Sequence, residues 1–182
     1  MTTVTYPSER FPALPALSLD LPDGWEATQA PGTVLAARKP GPGFMTNVVV
    51  RVEHREDDFD VSRAVAEIQG SAPGRPQGVA SPPFQGEIGG LTFVGLDLSW
   101  VDDQVGTILQ VHLFHALEAL VPGGAVQMIQ LIGSCGGPEA ATEYEVLQGV
   151  LRSATITPWQ VGRVEQVGRV EQNGPVGTSH GA

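Results

Sequence analysis

The C-terminal half of the chain contains three apolar runs that are separated by residues typical of turns. The runs are residues 91–100, 105–116 and 125–133. The first linker is Asp-Asp-Gln at 102–104, and the longer second linker contains Val-Pro-Gly-Gly at 121–124. Short connections favour antiparallel neighbours, because a parallel return needs a crossover of about a dozen residues or more. The three runs therefore predict an antiparallel β meander.

The apolar spacing becomes helical after the meander. A turn rich in glycine leads into a predicted helix over about 139–152. Its apolar stripe consists of Tyr144, Leu147, Val150 and Leu151. Earlier in the chain, Asp60 is the predicted N-cap of a helix over 61–69, where Val61, Val65 and Ile68 share one face. The predicted fold class is α+β, an antiparallel β-sheet meander flanked by helices.

The chain divides into three parts by composition. Residues 1–15 are polar and interrupted by proline, and we predict a loose N-terminal arm there. Residues 16–158 form the single α+β domain. Residues 159–182 are predicted to be a disordered tail, which carries the hexapeptide VGRVEQ in tandem at 161–166 and 167–172. Two such short copies are too few for a solenoid repeat.

The charge balance restricts the classes of partner. Twenty acidic residues against ten basic ones give a net charge of −10. Lys39 is the only lysine, and the arginines are scattered along the chain. Nucleic acids and anionic membrane surfaces bind to basic clusters, so neither is a predicted partner.

The sequence predicts a cytoplasmic protein that does not insert into a membrane. No apolar run reaches the roughly 18 residues of a spanning helix. The N-terminus lacks a basic segment before an apolar one, and prolines 7, 12 and 15 interrupt it. Because Cys135 is the only cysteine, an intramolecular disulfide is excluded.

Cys135 and the histidines are the first candidates for chemistry. Cys135 lies in the segment GSCGGP just before a predicted helix, where the helix dipole favours a thiolate. A cysteine nucleophile also needs a base, and no recognised motif links a histidine to it. We therefore predict that Cys135 packs as a small apolar side chain in a turn. His112 and His115 belong to a strand pattern, where positions i and i+3 face opposite sides, so we predict no shared metal ion.

The second candidate is a polar face of the sheet. We predict a binding face from Arg51, Asp97, Gln110 and His112, which alternate with apolar neighbours along three strands. Glu53 and either Gln127 or Gln130 extend this face, and Ile108 and Phe114 make it partly apolar. The same pattern is also typical of the solvated side of an antiparallel sheet that has no function.

Two functions remain open at this point. The first is a binding module for a protein or a small molecule, and the second is a small enzyme that uses the Asp97/His112 side of the sheet or Cys135. Catalysis requires a nucleophile and a base that meet inside a pocket. No such pair is evident, so the sequence favours the binding module. We expect neither a cofactor nor a metal ion, and the sequence does not specify the oligomeric state.

The order of several segments resembles the actinobacterial LpqN-type proteins. The segments are LPDGW, NVVVRVE, FQGEIGG, ILQVHLF, LIGSC and EYEVLQGVLRS, within about residues 16–158. The resemblance implies the PsbP-like (Mog-type) α/β/α sandwich and a binding or assembly role without established catalysis. Many LpqN-type members carry an N-terminal lipobox cysteine. The single cysteine of this chain lies in its last third, so we do not expect export or lipid anchoring.

We predict that deletion of residues 160–182 leaves the melting temperature nearly unchanged, because the segment offers only scattered valines to a core. Thermal unfolding of the full and shortened chains, followed by circular dichroism, measures the difference. A fall of more than several degrees would mean that the tail stabilises the domain.

Overall fold

The computed structural model describes residues 3–56 and 58–160. The predicted disordered tail lies outside the described residues from position 161 onward, including both hexapeptide copies. Ten strands and two α-helices occur in the described part. The strands are β1 Ala16–Ser18, β2 Glu26–Thr28, β3 Leu35–Arg38, β4 Asn47–Arg55, β5 Val79–Ala80, β6 Phe84–Ile88, β7 Leu91–Asp102, β8 Gly106–Leu117, β9 Val126–Gly136 and β10 Thr155–Thr157. The helices are α1 Val61–Ser71 and α2 Ala140–Arg152.

Eight of the strands form one antiparallel sheet. Its order is β2-β3-β4-β9-β8-β7-β5, and β6 also pairs with β7. The predicted meander is β7-β8-β9, with bounds close to those expected from the sequence. In this register His112 of β8 lies opposite Leu96 of β7 and opposite Ile132 of β9. The pairing of β4 with β9 encloses β9 between two long neighbours.

Helix α2 covers one face of this sheet. Leu147 is fully buried and packs with Leu131 and Phe93 in the larger apolar core. A Cβ atom added at Gly133 would lie 2.7 Å from Leu147, so glycine at that position lets the helix approach the strand closely. The predicted stripe of α2 is confirmed, because Leu147, Val150 and Leu151 are buried and Tyr144 packs beside them.

Helix α1 covers part of the opposite face. Asp60 is its N-cap and accepts a hydrogen bond from the backbone N–H of Ser62 at 2.9 Å, as the sequence predicts. Ala64 and Val65 pack in a second cluster with Leu96, Phe114 and Met128. Two helices on opposite faces of an antiparallel sheet make the predicted α+β sandwich.

Both ends of the domain are tied together. Strands β1 and β10 pair as a separate two-stranded sheet, with Leu17 opposite Ile156. Before β1, the amide of Gln127 donates to the carbonyl of Ala13 at 3.0 Å, and Pro12 and Pro15 are buried. The segment 12–15 therefore lies against the sheet and is not loose, in contrast to the expectation for the arm.

We expect Leu147→Ala to reduce the free energy of unfolding by about 2–5 kcal/mol, because it leaves a cavity where the helix meets the sheet. Glu145→Ala is the matched control on the exposed side of the same helix, and it should change stability by less than about 0.5 kcal/mol. Urea melts of both variants measure the difference. Equal midpoints would contradict the role of α2 as a core element.

Candidate functional site

A row of polar side chains crosses the sheet on the face that carries α1. Gln110 and His112 come from β8, and Gln130 and Ser134 come from β9. His112, Gln130 and Ser134 are buried, at 5%, 7% and 6% exposure, and Gln110 is half-buried. Their placement follows from the antiparallel register, in which Gln110 lies opposite Ser134 and His112 lies diagonal to Gln130.

The four side chains form one continuous chain of hydrogen bonds. The amide of Gln130 donates to Nδ1 of His112 at 3.2 Å, so this ring nitrogen is the acceptor. The proton of the ring is then on Nε2, which donates to Oε1 of Gln110 at 2.7 Å. The amide of Gln110 in turn donates to Oγ of Ser134 at 2.8 Å. All three bonds therefore run in the same direction across the sheet, through a neutral imidazole.

The electrostatic surroundings keep His112 neutral. Burial, followed by the positive charges of Arg75 and Arg51, lowers the pKa of His112 to about 4. A histidine with this pKa carries no charge at neutral pH and is a poor general base there. Both of its nitrogens are occupied by glutamine amides, which cannot accept or release a proton in its place.

Two arginines flank this polar row. Arg51 lies opposite Gln130 in the register and is exposed. The guanidinium of Arg75 stacks over the ring of Trp100 at 4.1 Å from its centroid. Within residues 3–56 and 58–160, neither arginine forms an ion pair, and the carboxylate of Glu53, two positions beyond Arg51, is paired with Arg55.

Asp97 does not belong to this face, which corrects the predicted set of Arg51, Asp97, Gln110 and His112. Leu96 lies opposite His112 and Leu98 lies opposite Gln110, so Asp97 between them points to the face of α2. There its carboxylate accepts a hydrogen bond from the hydroxyl of Tyr144. The other three predicted residues do share one side of the sheet.

Several further expectations about this face also change. Of the two glutamines considered, Gln130 joins the row, and Gln127 instead contacts Ala13 and His54. Ile108 and Phe114 do lie on the α1 side but are 5% and 2% exposed, so they belong to the core and do not form an open apolar surface. Glu53 does lie on the α1 side, opposite Met128, and its carboxylate forms an ion pair with Arg55.

Cys135 is a buried residue of β9 and not part of a loop. Its side chain is fully buried, and its thiol donates to the carbonyl of Ala140 at 3.3 Å. Burial, with a smaller contribution from Glu143, raises the pKa of Cys135 to about 11, so the thiol stays protonated at neutral pH. This environment disfavours a nucleophile, in agreement with the packing role predicted for Cys135.

The sequence did not identify Ser134, Arg75 or Trp100 as members of the site. Ser134 looked like part of a glycine-rich turn, although alternation extended through β9 would have placed it beside Gln110. Arg75 lies in the loop before β5, and its contact with Trp100 depends on how that loop folds back, which periodicity does not indicate.

The arrangement suits binding through neutral and cationic donors. Among residues 3–56 and 58–160, no three His, Cys, Asp or Glu side chains are grouped so that they could hold a metal ion. His115, the other member of the histidine pair, faces the α2 side, and its Nδ1 lies 2.8 Å from the carbonyl oxygen of Thr92. In the same described part, no helix has both the length and the apolarity to cross a membrane.

The fold is similar to those of two solved structures. LpqN of Mycobacterium tuberculosis, which is involved in cell envelope biogenesis, superposes with a TM-score of 0.65 at 18% identity, covering 86% of this chain and 90% of that chain. Cyanobacterial PsbP (CyanoP) of Synechocystis sp. PCC 6803 superposes with a TM-score of 0.50 at 12% identity, covering 86% and 98%. The chain has a PsbP-like fold. No family model and no curated protein matches its sequence.

We expect the stability of the protein to decrease as the pH falls from 7 to 5, through the protonation of His112. The unfolded state takes up this proton near pH 6.5 and the folded state only near pH 4, so the stabilisation is present above 6.5 and is lost as the pH falls toward 4. The loss at pH 5 is about 2 kcal/mol.

The variant His112→Gln provides the control, because glutamine is polar and does not titrate in this range. Urea melts at pH 7 and pH 5 give the change in unfolding free energy for each protein. The wild type should lose about 2 kcal/mol more than the variant over this interval. An identical pH dependence of the two proteins would contradict a buried neutral imidazole.

Proposed function

We propose that the protein is a non-catalytic binding or assembly module of the LpqN type, which binds a protein or a small molecule through the polar row and its flanking arginines. Of the residues predicted from the sequence, Arg51 and Gln110 are the proposed contacts, together with Arg75 and Trp100, and the buried His112 holds Gln110 in position through its Nε2–H. Asp97 is left out of this surface because it lies on the opposite face.

The observation that supports this proposal is the complete occupation of His112 by two glutamines. A catalytic histidine needs a free nitrogen and a partner that stabilises its charged form. Here the two charges that act on His112, those of Arg75 and Arg51, are both positive and oppose its protonation. The alternative enzyme that would combine Asp97 with His112 is not supported, because the sheet separates these side chains.

The charges around the row favour an anionic partner. Arg51 and Arg75 are available for hydrogen bonds, and stacking on Trp100 leaves the N–H groups at the edge of the Arg75 guanidinium free. Both arginines act on His112, and neither has an ion-pair partner in the described part of the chain. We infer that an acidic group of the partner binds there.

The similarity to LpqN supports an assembly role by analogy of fold. LpqN is described as involved in cell envelope biogenesis, and membership of this chain in the same family is part of our proposal. A cytoplasmic location stays a prediction from the sequence.

We expect immobilised wild-type protein to retain a specific partner from extracts of its native cells, identified by mass spectrometry, and Arg51→Glu to lose it. The substitution reverses the charge of an exposed residue on the proposed surface, so the fold should be preserved. Thermal melts verify that preservation.

Two matched variants act as controls. Arg152→Glu makes the same charge reversal on α2, on the opposite side of the sheet, and should retain the partner. Cys135→Ala should retain it as well, because the thiol is buried. If Arg51→Glu binds the partner as well as the wild type does, or if the protein turns over a substrate with dependence on Cys135 or His112, the proposed function is wrong.

A further inference from the structure

A second site lies on the other face of the sheet, beneath the N-terminal half of α2. It is a pocket of about 230 Å³ between β5, β7, β8 and the helix. Its polar lining residues are Ser81, Asp97, Ser99, Gln110 and Tyr144, and its apolar lining residues are Val79, Leu98 and Leu109. Gln110 also belongs to the polar row, but the carboxylate and the hydroxyl groups of the pocket do not, so the inference below does not rest on the function proposed above.

Asp97 is the charged group of this pocket, and it is held from two directions. Oδ1 accepts a hydrogen bond from the hydroxyl of Tyr144, and the backbone N–H of Asp97 donates to Oγ of Ser81 at 2.9 Å. In the described ranges 3–56 and 58–160, Oδ2 has no hydrogen-bond partner and Asp97 has no cation, because the ion pairs there involve other residues.

Tyr144 does not compensate the charge of this carboxylate. Burial, together with the hydrogen bond to Asp97, raises the pKa of Tyr144, so its hydroxyl remains a neutral donor. Desolvating a carboxylate costs free energy unless a cation or several hydrogen bonds offset the cost. Asp97 is half-buried and has one side-chain partner, so its second oxygen is an unused acceptor that faces a pocket.

We propose that this pocket binds a cationic nitrogen group, an ammonium or a guanidinium, carried on a short apolar stem. The cation would pair with Oδ2 of Asp97, and the hydroxyl oxygens of Ser81 and Ser99 provide further acceptors for its N–H groups. Val79 and Leu109 match the methylene stem, as apolar surfaces commonly do for lysine and arginine side chains.

The test is a titration of the uniformly ¹⁵N-labelled full chain with three ligands of matched shape. n-Butylammonium, n-butanol and butyrate differ mainly in charge. We expect n-butylammonium to shift the amide signals of Ser81, Asp97, Ser99 and Leu109 in a saturable way, with an affinity about tenfold higher than that of n-butanol, and butyrate to cause no saturable shift.

Variants locate the charge that the ligand requires. Asp97→Asn keeps the size of the side chain and an oxygen for Tyr144, and it should weaken n-butylammonium about tenfold. Asp103→Asn removes the same charge from an exposed turn and should change nothing. Tyr144→Phe leaves the carboxylate in place and should retain binding, which separates the role of the charge from that of the tyrosine.

The source of the cation is distinguished by a capped Gly-Lys-Gly peptide. Tighter binding of the peptide than of n-butylammonium assigns the site to a basic side chain of a protein, and equal or weaker binding assigns it to a small amine. The proposal fails if n-butylammonium and n-butanol are indistinguishable, or if Asp97→Asn binds the cation as well as the wild type does.

Discussion

Strand β9 is covered on both faces, and the rest of the structure depends on this constraint. All residues from Val126 to Cys135 are buried; α2 packs on one face of the strand, and on the other face Met128 packs in one cluster with Ala64 and Val65 of α1. A polar side chain in such a strand must find its hydrogen bonds inside the protein. Gln130 and Ser134 find theirs through Gln110 and His112 of the adjacent strand. The polar row is therefore a requirement of folding, and the proposed binding surface includes its half-buried member, Gln110.

The elements that depend on local pattern could be predicted from the sequence. Apolar runs with short linkers predicted the meander, and the 3.6-residue period with Asp60 as N-cap predicted α1 and α2 to within two residues. The pairing of β4 with β9 could not be predicted, because residues 56–125 separate the two strands and no local pattern links them. The resemblance to LpqN-type proteins supplied the sandwich that local pattern left open, and the similarity of the folds agrees with it.

The site shows where pattern alone is insufficient. Alternation within β7 and within β8 was assigned correctly, but the faces of the two strands were combined one residue out of step. A shift of one position moves a side chain to the opposite side of a sheet. The register, with Leu96 opposite His112, determines which residues of β7 share a face with His112. Cys135 shows a related ambiguity. Its glycine neighbours suggested a turn, whereas Gly133 and Gly136 are strand residues that make room for Leu147 and Phe44.

The pairing of β1 with β10 brings the first and last strands of the domain next to each other. Ala16 lies opposite Thr157, and the hydroxyls of Ser18 and Thr155 are 2.6 Å apart, so the first and last strands of the domain leave from one place on its surface. A short linker between these points would close the chain into a ring at little entropic cost, and new ends could then be opened at an exposed turn such as 102–105. The same geometry would let the whole domain be inserted into a loop of another protein without separating the two ends of that loop.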